Sequence, residues 1–154
     1  MDIVAHFLLV YLLFLKHPDK ILLSLIGICP DLLSLSSYYL RLFLKKIKKK
    51  KIKIYLLEKY IYRLTHSLLI FTLVFIMFYL INKSLLIYLI PWLIHILVDI
   101  PTHSKNYHNL LEDFSTKILW PFSDISFDGF DWVKGYALFK LYVLLIISYF
   151  LFMF

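Results

Sequence analysis

Apolar residues run almost unbroken through 3–15, 21–29, 32–44, 67–81, 85–100 and 135–154, with short polar stretches between them. Two of those stretches, "KHPDK" at 16–20 with Pro18 and "INKS" at 81–84, read as turns. "CPD" at 29–31 is expected to break the second segment, because proline disfavours helix in the residue before it. The first two runs are too short to cross a bilayer, at roughly 14–20 Å each, and read as a short helical hairpin or as helices buried among the others. The last, "GYALFKLYVLLIISYFLFMF", is the clearest full-length span at about 30 Å. Residues 101–134 form one long polar excursion carrying Glu112, Asp113, Asp124, Asp128 and Asp131. No internal repeat or Gly/Ser linker interrupts the pattern. The expected architecture is all-α: a polytopic membrane helical bundle of about four to six helices, some N-terminal ones short or broken, in a single domain over 1–154.

Composition strengthens this picture. The chain is 62% hydrophobic, where soluble domains sit near about half. Its formal charge of +7 is unevenly placed, since ten of the 17 Lys and Arg fall between Arg41 and Arg63, most in "KKIKKKKIK" at 45–53. Short basic loops stay cytoplasmic, so 45–53 sets the orientation. The same loop suits anionic lipid headgroups, at about 1 kcal/mol per basic residue, and no nucleic-acid partner is expected. Cys29 is the lone cysteine, which excludes an intramolecular disulfide and a Cys-rich zinc cluster. The N-terminus has no basic n-region and no small-residue cleavage site, so it is expected to stay in the mature protein with its histidine, His6.

Against this apolar background, "HILVDIPTH" at 95–103 places His95, Asp99 and His103 four residues apart. A charge inside a membrane segment costs about 2.5–3.5 kcal/mol, so such groups are usually paired, liganded or functional. His95 and Asp99 share a helix face. Folding the chain at its two turns brings His6 level with Asp31, and His66 level with His95 and Asp99. Imidazole and carboxylate together suit a divalent transition metal, and three or more such ligands with an open position make a hydrolytic site. The expected ligands are therefore His6, Asp31, His66, His95 and Asp99, around one or two ions, zinc first and manganese second. Plainer readings exist for each residue alone. His95 and Asp99 can form an intrahelical hydrogen-bonded pair, His6 can be solvated near the interface, and Thr65 can cap a helix starting at His66. Pro101 is expected to end the helix near Asp99, which takes His103 off the shared face. His103 and Asp124 are further candidate ligands. "DISFDGFD" at 124–131 resembles the start of an EF-hand loop, but Gly135 stands where the twelfth-position Glu is required.

Several of these pieces together resemble the YdjM-like group of prokaryotic inner-membrane proteins, a family of predicted membrane-bound metal-dependent hydrolases. The resemblance rests on His6 in the first helix and "PD" at Pro30–Asp31. It continues with "RLTHS" at 63–67, "HILVD" at 95–99 with Thr102 following, and "PF" at Pro121–Phe122. It runs in order from residue 6 to about 122. The family commonly reads "PDxD", where this chain has Leu33 in place of the second Asp; if that Asp binds metal, this chain holds one ion fewer. A helical glycine after the first histidine is also missing. The resemblance implies an inner-membrane, multi-pass protein whose metal activates water toward an ester or phosphoester. In that reading Asp99 serves catalysis through the metal and Arg63 holds an anionic group. The alternative is a non-catalytic membrane component that binds metal, anionic lipid or a protein partner.

Overall fold

A computed structural model describes residues 2–48, 55–105, 115–130 and 137–153. Among them are six α-helices: α1 (Ile3–Leu13), α2 (Lys20–Lys48), α3 (Tyr55–Thr65), α4 (Leu68–Ile81), α5 (Ile90–Thr102) and α6 (Ala137–Met153), with a 3-10 turn at Lys83–Leu89 leading into α5. The all-α expectation holds. The basic stretch 45–53 lies largely outside the described residues, as do Glu112, Asp113 and Asp131 of the polar excursion.

Asp2 starts α1, its side chain accepting from the Ala5 backbone N–H at 2.7 Å, as an N-cap should. The same carboxylate accepts from the Tyr142 hydroxyl at 2.7 Å, tying α6 to the start of α1. The "KHPD" turn then folds α2 back along α1. The break expected at Pro30 does not occur, because α2 passes straight through it. Proline inside a helix removes one hydrogen bond and costs about 3 kcal/mol in isolation. Here α2 packs against α1, α3 and α5, and that burial outweighs the local cost. Close approach to α1 depends on Gly27, where an added Cβ would lie 2.8 Å from Val10 Cγ2.

A second correction concerns the THS motif. Thr65 does not cap a helix beginning at His66. It ends α3, its hydroxyl donating back to the Ile61 carbonyl at 3.0 Å. Ser67 is the N-cap of α4, and the chain bends by 52° across the break. Ser67 also donates to the Trp120 carbonyl at 2.8 Å, and the Leu69 N–H donates to the Ile118 carbonyl at 3.2 Å. The described part of the polar excursion is thus laid against the α3–α4 corner. A third correction is at Pro101: α5 continues to Thr102, and the His103 N–H still reaches the Asp99 carbonyl at 3.1 Å. Proline this near the end of a helix forfeits a single bond, so the last turn survives. That turn is also held from outside. Gly129 and Phe130 N–H groups donate to the His103 and Pro101 carbonyls at 3.0 and 2.9 Å. A Cβ at Gly129 would come within 2.4 Å of the Pro101 oxygen.

The interior of the described molecule is more polar than its surface pattern. Its buried apolar residues are few, among them Val10, Leu23, Phe71 and Ile96, while His6, His66, His95, Asp99, Ser24, Ser67 and Thr102 are all buried. Large apolar side chains such as Leu80, Ile81, Phe122 and Leu151 are exposed. Only Lys83–Thr102, 20 residues, is by itself long and apolar enough to cross a membrane among the described residues; the α3–α4 pair passes that test only as one bent unit. The C-terminal run expected to be the clearest span forms α6, whose apolar stretch Lys140–Leu151 falls short of that length among the described residues.

Candidate metal centre

Three parts of the helical frame each present groups one turn apart, the spacing that puts them on one face. On α2 these are the Gly27 carbonyl and Asp31. At the end of α3 they are the Tyr62 carbonyl and His66. On α5 they are His95 and Asp99, with His103 one turn further.

The carbonyls decide what the histidines can do. His95 Nδ1 is 2.7 Å from the Gly27 oxygen, and His66 Nδ1 is 2.8 Å from the Tyr62 oxygen. A carbonyl only accepts, so each imidazole carries its proton on Nδ1 and donates it there. In the neutral ring each Nε2 is then a lone pair. These two Nε2 atoms nevertheless face each other at 3.0 Å, fully buried. Two lone pairs at that distance repel unless a proton or a cation lies between them. Two carboxylates supply matching negative charge. Asp99 Oδ2 lies 3.3 Å from His66 Nε2 and 3.2 Å from His95 Nε2. Asp31 Oδ1 lies 3.6 and 3.7 Å from the same two nitrogens.

These distances can be compared with the needs of an ion. Bonds of about 2.0–2.2 Å in a tetrahedral site set ligand atoms roughly 3.3–3.6 Å apart. The five separations above span 3.0–3.7 Å, and all four ligand atoms lie within 4.8 Å of one another. Asp31, His66, His95 and Asp99 therefore form a group able to hold a metal ion. Its ligands come with the supporting hydrogen bonds that orient metal-binding imidazoles.

The other predicted site residues lie outside this group. His6 is buried with Nε2 3.0 Å from Asp99 Oδ1, whereas His66 and His95 pair with Oδ2, and its ring stacks on His95 at 3.8 Å between centroids. His103 Nδ1 approaches the same oxygen at 3.3 Å. Asp124 is 74% exposed and lies 3.8 Å from Arg63, which is 24% exposed. Asp124 thus faces the guanidinium on the protein surface and is not one of the four grouped residues.

Sequence reading missed three contributors. Gly27 supplies the carbonyl that orients His95, and Tyr62 supplies the one that orients His66 while stacking its ring on that imidazole at 4.0 Å. Trp92 Nε1 donates to the Thr65 carbonyl at 2.7 Å, pinning the end of α3 to α5. The first two stand four residues before Asp31 and His66, so the same spacing rule that paired His95 with Asp99 points to them. Comparison with known proteins returned no match from any family model, curated protein or solved structure.

Proposed function

We propose that this chain is a membrane-embedded, metal-dependent hydrolase acting on an ester or phosphoester of an amphipathic, lipid-like molecule. The observation that carries this reading is the pair of Nε2 atoms facing each other at 3.0 Å, each on a ring oriented by a carbonyl at Nδ1, with two carboxylates beside them. Asp31, His66, His95 and Asp99 hold the ion, zinc by preference and manganese as the alternative. A divalent ion supplies Lewis acidity and brings the pKa of a water in its reach toward neutrality. Asp31, 16% exposed, is the one ligand of the four with an open side, so water and substrate approach there. Arg63 stands one turn before His66 and meets a surface carboxylate at 3.8 Å, a weak pairing. It is placed to exchange that partner for an anionic group of the substrate.

Membrane embedding is supported by the inverted distribution of polarity. Exposed apolar patches beyond a few hundred Å² are uncommon on soluble monomers, and here Leu80, Ile81 and Leu151 are exposed while a His/Asp cluster is buried. In this reading the protein is a multi-pass inner-membrane component, with 45–53 cytoplasmic and resting on anionic headgroups. A non-catalytic reading is favoured by one observation: four protein donors are enough to close a tetrahedral site, as in structural zinc centres.

Metal analysis and activity assays on the detergent-purified chain separate the two. About one zinc or manganese per chain, together with metal-dependent turnover of a carboxylester, phosphomonoester or phosphodiester reporter, is the expected result. Bound metal with no turnover of any reporter leaves the structural centre as the function. No bound metal removes both.

A further inference from the structure

Asp99 uses its two oxygens differently. Oδ2 faces His66 and His95 at 3.3 and 3.2 Å, while Oδ1 faces His6 at 3.0 Å and His103 at 3.3 Å. His6 Nδ1 is buried and has no hydrogen-bond partner among the described residues. A neutral imidazole must carry its proton on one nitrogen. Since only Nε2 has an acceptor in reach, the proton belongs on Nε2, where Asp99 Oδ1 receives it. A nitrogen that carries a proton cannot also bind a cation.

We infer that His6 is a positioning residue rather than a ligand: it donates to Asp99 Oδ1 and so holds Asp99 to the ion through Oδ2 alone. Stacking on His95 fixes the plane of the His6 ring, and α1, which carries His6, is held close to α2 where Val10 meets Gly27. The inference rests on the metal reading. It adds that the ion has two imidazoles around it and that the first helix acts on it through a carboxylate.

The test uses the full-length chain in detergent, titrated with Co²⁺ and with Zn²⁺ in competition with a chelator. X-ray absorption counts the imidazoles in the zinc form. Two imidazoles per ion are expected in wild type. His6→Leu removes the donor, and its affinity should fall about 10–100-fold, the usual loss for a supporting partner of a ligand. His6→Gln sets an amide N–H at about the depth of Nε2. It should recover most of that loss and keep the wild-type Co²⁺ visible spectrum. Three imidazoles in wild type, or one fewer in His6→Gln, would make His6 a ligand and overturn the inference while leaving the metal centre intact. Unchanged affinity in His6→Leu would overturn it as well. If His6→Leu does not fold, the imidazole count and His6→Gln still decide. A wild-type chain that binds neither ion overturns the metal reading and this inference together.

Discussion

Each histidine around Asp99 has its role set by the partner of its second ring nitrogen. Where Nδ1 meets a carbonyl, as in His66 and His95, Nε2 is available to a cation. Where Nδ1 meets nothing among the described residues, as in His6, Nε2 keeps the proton. Asp99 joins the two kinds, which makes its charge the decisive property. Asp99→Asn preserves shape but removes that charge and replaces one of the two oxygens by an NH2 donor, which cannot bind a cation. Metal content should drop to about a tenth of wild type or less, and the thermal shift caused by a chelator in wild type should vanish with it. Full occupancy in Asp99→Asn, measured by mass spectrometry of the metal, would reduce "HILVD" to helix packing. The sequence made these side chains legible through spacing of four and shared depth. It could not separate ligand from positioning residue, because that depends on backbone carbonyls that every residue possesses and only the fold aims.

At the level of elements, the α1–α2 contact sets where the Gly27 carbonyl stands. Gly27→Ala would place a methyl 2.8 Å from Val10 Cγ2, and a β-branched side chain has little rotamer freedom to retreat. Overpacking of this kind costs about 1–3 kcal/mol, against about 1 kcal/mol gained in helix propensity. The net effect should be a Tm lower by about 2–4 °C and weaker metal binding, since the carbonyl that orients His95 is displaced. Val10→Ala in the same chain removes the opposing methyl and should restore the affinity. No recovery in the double variant would show that Gly27 matters for another reason. This contact also explains what was hidden in the sequence. Pro30 looked like a breaker because local propensity is all that a tripeptide exhibits, whereas three packed neighbours decide the matter in the fold. Similarly, Ser67 rather than Thr65 caps α4, because the cap also has to meet the Trp120 carbonyl. Pro101 looked like a stop, yet Gly129 and Phe130 bond the carbonyls of that last turn from a segment far along the chain.

For the whole molecule, the sequence pattern foretold helices and an apolar exterior, and both are present. It did not foretell how few of the described helices reach spanning length, because run length in sequence ignores where the chain bends, as it does by 52° at the α3–α4 break. Orientation is testable from outside the cell. In a Cys29→Ser background, Lys83→Cys should react with an impermeant maleimide in intact cells, and Lys49→Cys in the basic stretch only after permeabilisation. Equal labelling at both positions in intact cells would remove the proposed topology.

The hydrogen bond between His6 and Asp99 joins residues 93 positions apart, and this has a consequence for how the protein is made. Ribosomes add about 5–20 residues per second, so His6 emerges roughly 5–19 s before its acceptor exists. Through that interval the first helix carries an imidazole into an apolar setting with nothing to receive its proton. The centre cannot be assembled piecemeal as the chain emerges. It closes in one late event, when α5 arrives with both His95 and Asp99, and in the proposed metal reading uptake follows that moment.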